Sequence, residues 1–365
     1  MLLIQHLCGW AWVTSMIPYG DSLRKQRAIL HRFFQFPEVL NYKELQEREC
    51  HLFLRRLVDS PENYDRHIRR LPASILGLNT YGHEVKDDND RYLELGEESA
   101  EMTIEAVNYL YLDFLPWMRF LPAWFPGGSF QKFVEESRKL STLFRNEIYA
   151  LNKNKRTITT LMNFVLAMLK YPEVQRRAQE EIDVVVGNDR LPTFKDRAQL
   201  PYIRALCLEL LRWQAILPLG FIHTAAEEDV YHGYRIPAGT MVIPNVWAIS
   251  RNEDIYPKPL DFIPERWLPG GSSLNSFRPD EYVFGYGRRI CPGQVWAEHM
   301  IFIAVVSILE AFKIEKALDS DGEPIPPNEN HKPAAIRLLG PSECMIAPRS
   351  EKIASMICDC AGTLS

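Results

Sequence analysis

The sequence has no excess of basic charge. Its 42 lysines and arginines are outnumbered by 47 aspartates and glutamates, for a net charge of -5, so nucleic acid is not an expected partner. A disulfide framework is also missing. The seven cysteines, Cys8, Cys50, Cys207, Cys291, Cys344, Cys358 and Cys360, are odd in number and irregularly spaced, which suits free thiols in a reducing compartment. Cys358 and Cys360 form a C-x-C without partner ligands, a poor metal site. No hydrophobic run of membrane-spanning length is evident. The stretch MLLIQHLCGWAWVTSMIPYG lacks a basic leading region and is interrupted by Gln5, His6 and Pro18, so it reads as a buried segment that begins abruptly. H-E-x-x-H, G-x-S-x-G and G-x-x-x-x-G-K are absent, and Gly285-x-Gly287 lacks the third glycine of a dinucleotide fold. Internal repeats and low-complexity linkers are absent as well.

What is present suits a large core: 365 residues, 46% apolar and 24% charged. Helical periodicity runs over Asp21 to Phe34, Tyr42 to Val58, Tyr64 to Leu78 and Glu97 to Leu112. In Leu115 to Gly128, LPWMRFLPAWFPGG, three prolines exclude a continuous helix. This stretch reads as a loop packed over the core, or as an aromatic surface that meets a membrane or guards a pocket. Arg156 to Lys170 is an apolar helix stopped by Tyr171-Pro172. Pro172 starts another that ends at Gly187, and a third runs from Pro201 to about Arg212. Asp229 to Val242 alternates β-formers with turn residues. Asp254 to Gly287 is a long loop, a feature usually tied to function. Gly293 to about Phe312 is a strongly apolar helix, and the C-terminal remainder reads as short strands and turns. The expected fold is one mainly α domain over residues 1–365 with a small β component, helical through residue 150, with helices, short strands and the long loop from residue 156 onward.

The strongest chemical signal is Phe284 to Gly293, FGYGRRICPG. Cys291 sits at the foot of the apolar helix, where unpaired amides and partial positive charge stabilise a thiolate. Arg288 and Arg289 add positive charge. Gly285, Gly287 and Gly293 let the backbone approach something flat and large, and Phe284 supplies an apolar cover. An anionic sulfur, an apolar shell and cations for propionates are what thiolate ligation of heme iron requires. The alternative is a buried structural cysteine in a glycine-rich turn. Glu209 and Arg212, in ELLR, share a helix face, and by themselves would be an ordinary ion pair of little worth.

FGYGRRICPG is similar to the heme-binding signature of the cytochrome P450 family, F-x-x-G-x-x-x-C-x-G, at each fixed position, including Gly287 and Gly293. The resemblance implies heme b as cofactor, Cys291 as the axial iron ligand, Arg289 as a propionate partner and Phe284 as the shield of the sulfur. The E-x-x-R pair followed by Pro264-Glu265-Arg266-Trp267 also resembles the family. It implies that Arg266 joins Glu209 and Arg212 in a buried structural cluster. Ala167 to Gly187, Leu217-Pro218-Leu219-Gly220 to Ile243, and Pro348-Arg349-Ser350 look like fungal secondary-metabolism members. By that resemblance Ile216, Leu217, Leu219 and Phe221 line the substrate pocket and His223 approaches a propionate. Tyr19-Gly20-Asp21 to Arg27 resembles the family's W-x-x-x-R helix. Arg27 is present but Leu23 replaces the tryptophan, so one propionate hydrogen bond is missing and heme retention should weaken.

The implied activity is insertion of one atom of dioxygen into a small apolar metabolite. Electrons would come from an NADPH-cytochrome P450 reductase docked near Arg288. Family members reside in the endoplasmic-reticulum membrane. This chain, without a clear anchor, is expected to be cytoplasmic or peripherally attached through Leu115 to Gly128. Two departures qualify the resemblance. The sequence begins near the W-x-x-x-R helix, as though truncated before it. The distal motif A-G-x-D/E-T is replaced by NKNKRT, Asn152 to Thr157, where only Thr157 can serve and no acid adjoins it. The span between Pro126 and Thr157 reads as too short for the family's helices, as after an internal deletion or altered splice. The readings are therefore a working monooxygenase, an impaired or inactive P450-like protein lacking the acid–threonine pair, a heme-thiolate isomerase or peroxygenase, or a non-enzymatic helical scaffold.

Overall fold

The computed structural model describes residues 6–34, 37–85, 90–109, 111–147, 155–273, 277–332 and 336–362. Its helices are α1 (Asp21–Phe34), α2 (Lys43–Asp59), α3 (Tyr64–Tyr81), α4 (Arg91–Glu105), α5 (Phe130–Glu147), α6 (Lys155–Lys170), α7 (Pro172–Val185), α8 (Pro201–Trp213), α9 (Gln294–Ala311) and α10 (Glu351–Gly362). Shorter helical turns lie between them. The protein is mainly α with a small β component, as its sequence pattern led us to expect.

Local chemistry sets most of the boundaries. Pro172 and Pro201 open α7 and α8, where a missing N–H costs nothing. Gly82 closes α3 in the left-handed conformation, with φ +64°, and its N–H returns to the Leu78 carbonyl. α9 has no polar stripe, and a helix apolar all round belongs inside a core. Nearly every residue from His299 onward in it is buried, with α2, α6, α7 and α8 packed around it. Among the described residues α9 is the one helix long and apolar enough to cross a membrane, but 78% of it is buried within the fold.

The strands form antiparallel pairs. β1 (His223–Thr224) pairs with β4 (Met241–Val242), and β2 (Asp229–Tyr231) pairs with β3 (Tyr234–Ile236). β5 (Phe312–Lys316) continues directly from α9 and pairs with β8 (Cys344–Pro348), while β6 (His331–Lys332) pairs with β7 (Leu338–Leu339).

Three expectations need correction. The sequence reading named no individual helix between Gly128 and Arg156 and took the span as too short for the family's helices, yet the 18-residue α5 is there. Phe130, Phe133, Val134, Ser137 and Phe144 recur at helical spacing and are buried. The C-terminal stretch was expected to hold strands and turns only, but α10 closes it against α2. The fourth helix runs over Arg91–Glu105, not Glu97 to Leu112. A second apolar cluster, separate from the one around α9, forms where the early segment meets α5. There Trp10 and Trp12 donate their indole N–H groups to Ser137 and Ser141 at 2.9 and 3.1 Å.

Candidate functional site

The loop before α9 folds back on itself. The Cys291 N–H donates to the Phe284 carbonyl at 2.8 Å, and Ile290 N–H to Gly287 at 3.2 Å. Gly285 and Gly287 make the reversal with φ of +86° and +50°, values that side chains rarely tolerate. Cys291 is half-buried, and its carbonyl accepts the Gln294 N–H as α9 begins. The Cys291 backbone is thereby fixed just ahead of the positive end of an 18-residue helix that Gly293 caps. A Cβ built on Gly287 or Gly293 would meet no protein atom within 4 Å. The room beside these glycines is not taken up by packing.

A small, mostly apolar cavity opens beside this loop. Val283 and Phe284 of the loop, Ala297 and Ile301 of α9, Leu211 of α8, Thr160 of α6, and Ile216, Leu217 and Val246 line it. Ile216 and Leu217 are the two expected pocket residues that it includes. Leu219 and Phe221 stand 52% and 42% exposed and do not line it. Thr157 lies in the first turn of α6, its side chain outside the described residues, as is the Asn152–Asn154 part of the altered motif. Thr160, Leu211, Val246, Val283, Ala297 and Ile301 went unnamed at the sequence level. Ala297 and Ile301, four apart on the helix after Cys291, were findable from helical spacing.

Cations converge on the same loop. Arg27 of α1 donates to the Ile290 carbonyl at 2.9 Å, and Arg289 donates to the Ile17 carbonyl at 3.0 Å. Arg288, exposed, stacks on Tyr19 and donates to its hydroxyl at 3.0 Å. Burial lowers the Arg289 pKa, and the charge of Arg27 lowers it further. Burial and then the charge of Arg289 lower that of His223. Among the described residues no carboxylate is paired with Arg27, Arg289 or His223. Two neighbouring guanidiniums and an imidazole without an acid suit an anionic ligand. Leu23, at the tryptophan position, is buried on α1.

Behind this wall lies a charge cluster. Glu209 of α8 accepts from Arg212 Nε (2.9 Å) and Nη2 (2.7 Å), from Arg266 Nε (3.1 Å), from the Trp267 indole (2.9 Å) and from Ile263 N–H (3.0 Å). Arg212 also donates to the carbonyls of Ser250, Pro259 and Asp261. All three charged side chains are buried. With their hydrogen bonds satisfied, they tie the loop over residues 250–267 to α8.

The cytochrome P450 family model matches residues 155–339. Over its whole length the chain is 36% identical to cytochrome P450 monooxygenase COX2 of Coprinopsis cinerea, covering 79% of that protein. The chain belongs to the cytochrome P450 family. It is also 34% identical to cytochrome P450 monooxygenase 208 of Postia placenta, over 94% of this chain and 76% of the relative. With claT, a cytochrome P450 monooxygenase of Ampulloclitocybe clavipes, it shares 30% identity over 96% of this chain and 79% of the relative. By family this P450 is an oxidoreductase of the monooxygenase kind, and the family's cofactor is heme iron. The match to COX2 spans 415 aligned positions against 365 residues here. COX2 therefore carries residues within the matched region that this P450 lacks.

The site fits the family's cofactor. The cavity is apolar, the glycines leave space, a thiol stands at a helix N-terminus, and the cations nearby lack acids of their own.

Proposed function

We propose that this P450 holds heme b over residues of a single 1–365 domain and oxidises an apolar metabolite of secondary metabolism. Dioxygen would be the co-substrate, with electrons from an NADPH-cytochrome P450 reductase. The observation that carries the reading is the combination at one place of Cys291 just ahead of α9, the apolar cavity, the acid-free cations Arg27 and Arg289, and the His223 imidazole.

In this reading Cys291 gives its sulfur to the iron as a thiolate, favoured by the α9 N-terminus. Arg27 and Arg289 neutralise the propionates, His223 offers them an imidazole N–H, and Phe284 keeps water from the sulfur. Bound heme would supply oxygen activation, with the thiolate pushing electron density toward it. Ile216 and Leu217 would shape the substrate side. Glu209, Arg212 and Arg266 act through position alone, by holding the loop beneath the site.

Exposed Arg288 and the basic residues of α1 offer a positive face to an acidic reductase. Phe114, Trp117, Phe120 and Trp124 are 66%, 61%, 74% and 81% exposed. Such aromatics suit the lipid–water boundary, which supports peripheral attachment to a membrane through Leu115 to Gly128. A second reading rests on Lys153, Lys155 and Arg156. Cations where the family has an acid and a hydroxyl favour a heme protein impaired in proton delivery. The ferrous–carbon monoxide spectrum tests the site. Native protein should give the thiolate-type band and Cys291→Ala should lose it; a band that survives the substitution refutes the ligand assignment. Turnover with reductase and NADPH separates the active reading from the impaired one.

A further inference from the structure

Strands β1 to β4 are thinly covered. None of their residues is buried, and each ladder has only two strands. A two-stranded ladder is marginal by itself, and three or more strands or a packed face are needed for stability. β4 pairs with β1 through Val242 opposite His223 and Met241 opposite Thr224. Its other edge has no partner strand among the described residues. The β2–β3 hairpin extends the same ladder, joined to it by the Ala225 N–H, which donates to the Thr240 carbonyl at 2.9 Å.

The surface around that edge is apolar. Val242 and Ile243 are 49% and 46% exposed. Exposed Leu219 and Phe221 lie beside them. Gly220 packs so closely on Pro244 that a Cβ there would come within 2.6 Å of the proline ring, and the Trp247 N–H donates to the Pro218 carbonyl at 2.8 Å. Val230, Tyr231 and Tyr234 add exposed apolar area on the hairpin. Natural edge strands are guarded by charge or proline. Here β2 carries Asp229, β3 Arg235, β5 Lys313 and β6 Lys332, β8 ends on Pro348, Arg337 precedes β7 and His223 lies in β1. Among the described strands β4 alone has no titratable residue or proline, either within it or directly on either side, from Thr240 to Ile243.

We propose that β4 pairs antiparallel with β4 of a second copy of this chain, joining the two ladders into one sheet of order β1-β4-β4-β1. A two-fold axis makes the contact self-complementary and closes it at two copies. The antiparallel arrangement sets the hairpin of each copy beside the Leu219–Phe221 end of the other, so Val230, Tyr231 and Tyr234 gain apolar neighbours. It also keeps the exposed acids Glu227, Glu228 and Asp229 of the two copies at opposite ends. An identical uncharged edge brings no charge to be desolvated. A half-exposed large side chain leaves on the order of 100 Å² to water. Leu219, Phe221, Val230, Tyr231, Tyr234, Val242 and Ile243 therefore offer roughly 700 Å² per copy, close to the ~800 Å² that each partner buries in a stable interface. An anionic lipid surface fits this face less well, because it would be repelled by the three acids at the hairpin base.

Sedimentation velocity of the full chain, from about 1 to about 100 μM, reads the association. Native protein should pass from monomer to dimer across the series, and the amides of Met241 to Ile243 should exchange more slowly in the dimer. Val242→Lys and Ile243→Lys each bring like charges together at the contact and should weaken association about a hundred-fold or more. Val184→Lys, at an exposed apolar residue of α7, should leave it unchanged. A native chain that stays monomeric throughout overturns the proposal. So does a dimer that survives both substitutions on β4 or gives its amides no protection. Monomers that sediment with phospholipid vesicles, and lose them on Val242→Lys, assign the face to lipid and overturn it as well. If one lysine variant does not fold by circular dichroism, the other and the native series decide. Sedimentation and amide exchange read the contact whether or not heme is bound.

Discussion

On one wall of the cavity, the loop from Phe284 to Gly293 is closed by backbone hydrogen bonds, turned by two left-handed glycines and backed by the Glu209 cluster. On the other, α6 begins with Lys155 and Arg156, where the helix dipole already presents positive charge and a cation is disfavoured. In the proposed reading the first wall holds the heme, and the second lacks an acid that would bring protons to it. Binding and reaction are thus separable demands. A thiolate site needs local geometry and counter-charge, whereas proton delivery needs specific groups on a different helix.

The contrast can be broken from either side. The largest effect is expected from Glu209→Ala, which leaves Arg212 and Arg266 buried without their counter-charge and should cost about 3–5 kcal/mol. A shift of the urea midpoint measures it; a loss below about 1 kcal/mol would show that the cluster does not hold the loop. Next comes Glu310 of α9, fully buried, with the Arg349 guanidinium 3.6 Å away and no hydrogen bond to its carboxylate. Burial pushes its pKa up from 4.5 to about 7, against the pull of Arg349. Because the folded value lies above the unfolded one, the native state keeps a proton that the unfolded chain releases. Stability contributed by Glu310 is therefore full below pH 4.5 and falls as pH rises toward 7. Glu310→Gln should remove that decline and raise stability at pH 8 by up to about 3 kcal/mol. Unfolding curves at pH 5 and pH 8 check the sign.

On the opposite wall, Arg156→Asp relieves the helix N-terminus and sets an acid beside Thr157. It should add about 0.3–1 kcal/mol to stability and raise product formed per NADPH consumed. If stability rises while coupling stays flat, the missing acid is not what limits this wall. The smallest change in stability is expected from Trp124→Ser, within about 0.5 kcal/mol for so exposed a side chain. Its effect should appear as weaker sedimentation with phospholipid vesicles, and undiminished binding would count against membrane attachment through this loop.

Much of the fold was legible because its signals are local. Pro172, Pro201 and Gly82 mark helix ends through their own backbone chemistry, and the apolar run of α9 announces a core helix. α5 carried the same periodicity but was obscured by the proline-rich stretch before it, and α10 by the strands that precede it. Within the candidate site, the loop from Phe284 to Gly293 was readable because its parts are contiguous. Leu219 and Phe221 were grouped with Ile216 and Leu217 by resemblance, but beside the turn at Gly220, with φ +54°, both stand exposed and outside the cavity lining.

The sequence by itself determined the family, the mainly α class and the thiol at the head of an apolar helix, because each depends on residues a few positions apart. The tertiary structure alone decided which distant groups meet. Arg27 reaches Ile290 across 263 positions, Glu209 reaches Arg266 across 57, and Arg251 and Arg337 share one indole. Those pairings follow from how the helices pack around α9. Packing sums many weak contacts along the whole chain, so no local spacing foretells it.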